Sequence, residues 1–216
     1  MPVSLEDAKK IKIKPTPFEK SWFKFLGGLP IDKGWNCTLF GASFNGKSTC
    51  AMYFGMQCSQ FGNVLYVNAE EDTAKGTLQN KLRQNNIKSK GYRFDFADTT
   101  DLDEIRKLLK SGDYKYCVRD SIHAFAKWND VKVLSLWMEF RDFPEISFID
   151  VLFSTKDELT FKGESDMIHL SEFAIECKKN AAGLPIARME RKNRYKDNPE
   201  KYKYLDFIHS KIVREA

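Results

Sequence analysis

Apolar residues fall along the chain in short blocks set between polar turns, and the blocks alternate between two periods. Trp35-Asn36-Cys37-Thr38-Leu39-Phe40, Val64 to Ala69, Tyr114 to Ser121 and Ser147 to Phe153 are compact runs of strand length. Runs of this kind predict buried strands, and Tyr92 to Ala97 predicts a shorter one. Between them the spacing changes. Thr49 to Met56 has the composition of a buried helix, and Thr73 to Asn86 and Asn129 to Arg141 also predict helices. In Asp101 to Lys110, Leu102, Ile105, Leu108 and Leu109 fall on one helical face. The last part differs: Phe173 to Cys177, Ile186 to Arg191 and Tyr202 to His209 are strand-like pieces that follow one another directly. Alternation followed by a run of strands predicts an α/β fold: a mostly parallel central sheet flanked by helices, with an antiparallel C-terminal extension.

Residues 1–34 read as an N-terminal lead-in to a domain spanning 35–216. Lysines alternate with Ile11 and Ile13, and Pro15 and Pro17 then stop regular structure. Ser21 to Leu26 is aromatic enough to dock on the domain or on a neighbouring copy. Gly27, Gly28, Pro30 and Gly34 mark turns before the first core strand.

Composition narrows the class. A chain of 216 residues with 42% hydrophobic and 30% charged positions buries a core without covalent staples. No apolar run approaches the roughly 20 residues of a membrane span, so no membrane partner is expected. Met1 to Lys14 has acidic residues and no apolar signal core, so a cytoplasmic location is expected. The five cysteines are odd in number and form no C-x-x-C pair, which argues against a zinc site. The net charge of +5 permits an anionic partner without requiring one.

One stretch carries chemistry. Gly41-Ala42-Ser43-Phe44-Asn45-Gly46-Lys47-Ser48-Thr49 fits G-x-x-x-x-G-K-[ST], a phosphate-binding loop, between a predicted strand and a predicted helix. The glycines let successive N–H groups turn toward anionic oxygens, and the helix adds its partial positive end. Lys47 suits the β- and γ-phosphates of ATP, and the Ser48 hydroxyl suits Mg²⁺. Asp120 ends a strand expected beside the loop, the place for a second Mg²⁺-orienting group. Arg119, just before it, must snorkel, pair with an acid, or mark a shifted register. Glu70, in the acidic run Glu70-Glu71-Asp72 at a strand end, is the expected general base, with Glu71 its competitor. Ser154 or Thr155 is a candidate to touch the γ-phosphate.

The order of these parts resembles the RecA-like P-loop ATPase core, in particular its RadA/Sms, DnaB and KaiC branch. The resemblance rests on GASFNGKST, VLYVNAEED, CVRDSIHAF and Lys192-Asn193-Arg194-Tyr195, spread from about Gly34 to His209. Lys196 stands where RadA continues with glycine. The resemblance implies Glu70 as catalytic glutamate and Asp120 as Mg²⁺-orienting acid. It makes Lys192 and Arg194 fingers that reach the γ-phosphate of an adjacent subunit, so a homo-oligomer, ring or filament, is expected. It also implies loops for single-stranded DNA at His123 to Asp130 (Phe125, Lys127, Trp128) and Lys156 to Ser165 (Lys156, Phe161, Lys162). The function so implied is ATP hydrolysis coupled to single-stranded DNA binding in recombination, repair or replication. A KaiC-like switch acting on a protein partner and a binding-only relative stay open beside it.

Overall fold

The computed structural model describes residues 4–69, 76–153, 167, 170–196, 198 and 201–214, and the backbone alone for 140 and 190–192. Its strands are β1 (Asn36–Phe40), β2 (Val64–Asn68), β3 (Phe94–Ala97), β4 (Tyr116–Asp120) and β5 (Ser147–Val151). They continue as β6 (Phe173–Lys179), β7 (Pro185–Asn193), β8 (Tyr204–Asp206) and β9 (Lys211–Val213). The helices are α1 (Leu5–Lys10), α2 (Lys20–Leu26), α3 (Lys47–Cys58) and α4 (Thr77–Gln84), then α5 (Leu102–Lys110), α6 (Ile122–Trp128) and α7 (Val133–Met138).

The nine strands form one sheet in the order β3-β2-β4-β5-β1-β6-β7-β8-β9. From β3 to β6 all neighbours are parallel; from β6 to β9 they are antiparallel. This is the α/β sheet with the antiparallel C-terminal part that the block pattern predicts. One placement is corrected. Asp120 does not end a strand beside β1, because β5 pairs with both β1 and β4 and separates them.

Alternation along the strands divides the interior in two. Val64 and Tyr66 of β2, and Tyr116 and Val118 of β4, join a core under α2 and α3. Leu65, Val67 and Cys117 join another under α5, α6 and α7. Helix α3 is buried continuously from Cys50 to Cys58, as its sequence predicts. The lead-in docks on its own domain: Trp22, Phe25 and Leu26 of α2 are fully buried, and Trp22 stacks on Phe54 at 5.5 Å. Burial of such side chains contributes about 1.5–3 kcal/mol each.

Arg119 takes the second of its expected options. It is 3% exposed and meets Asp150 of β5 through two hydrogen bonds, Nε to Oδ1 at 2.6 Å and Nη2 to Oδ2 at 2.8 Å. Nη1 donates to the Leu136 carbonyl at 3.0 Å, and the guanidinium lies 4.8 Å from the centre of the Phe148 ring. The strand register is therefore the expected one, with Arg119 toward α7 and Asp120 toward the opposite face.

Two segments differ from expectation. The helix predicted over Asn129–Arg141 is α7 followed by a 3₁₀ turn over Glu139–Asp142, while α6 occupies residues read as a loop. Ser121 caps α6 by accepting from the Ala124 N–H at 3.4 Å. The strand predicted over Tyr202–His209 is two: the Asp206 carboxylate accepts from the N–H groups of Ile208 and His209 and turns β8 into β9. No helix of the described residues is long and apolar enough to cross a membrane.

Candidate nucleotide site

The glycine loop connects the end of β1 to α3 at the carboxyl edge of the parallel strands, where open α/β sheets hold ligands. Gly41 has φ 144°, and a Cβ there would stand 2.1 Å from the Cys177 carbonyl oxygen on β6. Only glycine fits. Gly46 caps α3 at φ 79°, the left-handed region, so the chain turns sharply into the helix. The first turn of α3 carries no acid of its own to neutralise the positive end of its dipole.

A cavity of about 470 Å³ opens over this turn. The loop contributes Ser43, Phe44 and the Gly46–Thr49 turn, and Asp120 of β4 faces them. Gly41 and Ala42 lie buried behind, and the Asn45 N–H closes the loop on the Ala42 carbonyl at 3.3 Å. Lys47 Nζ donates to the Gly41 and Ala42 carbonyls at 2.9 and 3.0 Å, folded across the turn. Asp120 is 6% exposed and accepts a hydrogen bond from the Tyr66 hydroxyl at 2.5 Å, which fixes its carboxylate. A cation, a hydroxyl, a fixed carboxylate and turned glycines in one cavity fit a magnesium nucleotide. Ser48 and Asp120 are the residues that would hold Mg²⁺.

Sequence reasoning missed three lining residues: Lys81 of α4, and Val151 and Phe153 at the end of β5. Lys81 stands one turn from buried Leu78, at the border of the inward face. Val151 and Phe153 become visible only once β5 is known to lie beside β1. Phe153 also reaches outward: its N–H donates to His123 Nδ1 at 3.3 Å, and the two rings stack at 5.3 Å. The cavity wall is thereby tied to the first turn of α6.

Other predicted residues either lie outside the described residues or stand away from this cavity. Glu70 and Glu71, and Ser154, Thr155 and the Lys156–Ser165 segment, lie outside the described residues. Arg194 is exposed at the opposite end of the sheet, and the backbone of Lys192 is in β7 beside it. Pro185, where β7 begins, packs against Gly46, whereas Asn193, where it ends, pairs with Phe173, the partner of Cys37 near the start of β1. The intervening length of β6, Phe173–Lys179, covers about 20 Å at the usual rise per residue. No arginine side chain spans that distance. In the His123–Asp130 segment, Phe125 is fully buried under α6 and cannot stack on a base; Trp128 is 68% exposed and Lys127 is exposed.

No protein-family model and no curated protein matches the sequence. Solved structures do match in fold. A KaiC-like protein from the hyperthermophilic archaeon Pyrococcus horikoshii OT3 superposes with TM-score 0.62 at 17% identity, covering 87% of this chain and 92% of that one. The flagellar accessory protein FlaH from Methanocaldococcus jannaschii gives 0.58 at 16% identity, covering 88% and 92%. The RadB recombinase gives 0.50 at 20% identity, covering 86% and 91%. The fold is the RecA-like P-loop core, as the motif order predicts.

Proposed function

We propose that this chain is an ATPase that binds ATP and Mg²⁺ on its glycine loop and completes the site with cations from an adjacent copy. One observation carries the reading: Lys47 and Ser48 of α3 and Asp120 of β4 line a single cavity above turned glycines. Lys47 would take the β- and γ-phosphates, and Ser48 and Asp120 would hold the metal, whose positive charge suits a phosphoryl group in transfer. Glu70 orients the attacking water. Glu70→Gln is expected to keep ATP binding and lose turnover; normal turnover would move the role to Glu71.

The separation of Arg194 from its own loop supports completion in trans. Lys192 and Arg194 then act on the γ-phosphate held by the next protomer, in a head-to-tail contact that generates a ring or a filament. Mixing Lys47→Ala chains with Arg194→Ala chains tests this. Neither variant alone should turn over ATP, and the mixture should recover part of the rate, because some interfaces then hold two intact halves. A mixture as inactive as its components would remove the trans assignment.

In recombination, repair or replication, the work coupled to turnover is single-stranded DNA binding, carried by Lys127 and Trp128 on α6 and by the Lys156–Ser165 segment. The Phe153–His123 contact gives α6 a direct link to the nucleotide cavity. A second reading, a nucleotide-dependent switch acting on a protein partner, is favoured by the burial of Phe125, which removes one expected base-stacking platform. Single-stranded DNA added to the same assay separates the two. Stimulated turnover supports DNA coupling, and an unchanged rate supports the switch.

A further inference from the structure

Phe44 is the most exposed of the large hydrophobic residues described. It sits at the apex of the glycine loop, 93% exposed, with φ 62°. A left-handed backbone is uncommon for a bulky residue and persists where surroundings or function require it. An aromatic ring in water at that apex adds a second unfavourable feature. Covering the ring relieves the second of these.

A matching surface lies at the opposite end of the sheet. Immediately after Arg194 the chain forms one wall of a groove of about 580 Å³, between Ile13 and Phe23 on one side and Tyr195 and Tyr202 on the other. The wall is firmly set. The Tyr195 carbonyl accepts from the Gly28 N–H at 3.0 Å, and a Cβ on Gly27 would stand 2.5 Å from that same oxygen. The Tyr195 phenol hydrogen-bonds Glu172, whose carboxylate also accepts from the Asn36 N–H at 3.0 Å. The rim is cationic: Lys24 and Lys201 lie 4.9 and 5.3 Å from the centre of the Tyr202 ring.

We infer that this groove receives Phe44 of the next copy of the chain, seating one protomer's phosphate-binding loop against the finger segment of another. The inference rests on the head-to-tail reading above and specifies its contact. Phe44 and Lys47 line the same cavity, so an Arg194 that reaches a γ-phosphate there brings Tyr195 and Lys196 against the loop apex. Charge agrees. The groove is rimmed by lysines, and the edge that meets it carries Asp120 and would carry the triphosphate. Donor and acceptor surfaces lie at opposite ends of one protomer, so the contact repeats from copy to copy.

The test uses the full chain with a non-hydrolysable ATP analogue. Phe44→Cys chains mixed with Phe23→Cys chains under mild oxidation should form a disulfide dimer, whereas Phe44→Cys with Tyr92→Cys should not. The native thiols do not interfere: all five cysteines are buried, and burial pushes Cys37, Cys50, Cys58 and Cys117 up, the last to about 12. Independently, Phe44→Ala should weaken nucleotide-driven self-association about 10- to 100-fold, and Phe44→Leu should restore most of it. Its unliganded melting temperature should not fall, since Phe44 makes little contact within its own protomer. Phe44→Cys chains that cross-link to one another would indicate a symmetric contact and overturn the inference. Wild-type assembly by Phe44→Ala, with no Phe44–Phe23 cross-link, would overturn it too. If Lys47→Ala and Arg194→Ala chains still complement in that case, the trans-acting site survives. Loss of both complementation and assembly removes the two together.

Discussion

Lys47→Ala is expected to lose ATP binding and keep the fold. Lys47 is half-buried, and its ammonium donates to the carbonyls of Gly41 and Ala42 at 2.9 and 3.0 Å. The packing beneath it, Gly41 against Cys177 and Gly46 against Pro185, does not involve the lysine side chain. A hydrogen bond to a charged group contributes about 1.5–3 kcal/mol, so loss of Lys47 should weaken ATP binding about 10- to 100-fold or more. Thermal unfolding reads this directly. ATP at about 100 times its dissociation constant stabilises by about 2.7 kcal/mol, a rise of about 5–10 °C for a chain of this size. At the same ATP concentration Lys47→Ala should keep at most about half of that rise, with an unliganded transition close to wild type. An undiminished rise in the variant would mean that the nucleotide binds elsewhere.

The second large effect concerns stability. Arg119→Ala leaves Asp150, which is fully buried, without the guanidinium that meets both of its oxygens. Breaking a buried ion pair from one side costs about 3–5 kcal/mol. At about 2–4 °C per kcal/mol the transition should fall by about 6–20 °C. Removing both charges is a different experiment. Arg119→Met combined with Asp150→Leu refills the volume without a lone charge and should recover most of the loss, because desolvation of a buried pair offsets much of its attraction. A double variant as unstable as the single one would assign the cost to shape rather than to the stranded carboxylate. The pair also bears on the cavity, since Arg119 precedes Asp120 and Asp150 precedes Val151, both of which line it.

The sequence was most legible where one local segment sets both conformation and chemistry. The loop from Gly41 to Thr49 could be read outright, because glycine position, lysine and hydroxyl answer to one ligand and sit between a strand and a helix. It failed where the answer lay in a distant partner. Nothing near Arg119 reveals Asp150, 31 positions on. The insertion of β5 between β1 and β4 is likewise a property of sheet order that no local pattern carries. Helix α6 was legible in principle, with Ile122, Phe125 and Ala126 at helical spacing behind a serine cap. Reading those residues as a ligand loop hid the signal. The turn at Asp206 was missed for a similar reason: an apolar run looked continuous, and the aspartate that folds it back was passed over.

The lateral borders of the sheet also limit how copies can meet. On one side β9 is three residues long, with Lys211 exposed and Arg214 just beyond it. On the other, β3 has four residues, and its Asp95 carboxylate is taken up by the Tyr114 hydroxyl at 2.8 Å. Short, charged borders make poor templates for adding a foreign strand. Association by sideways extension of the β-structure is therefore disfavoured, in keeping with the head-to-tail contact proposed above.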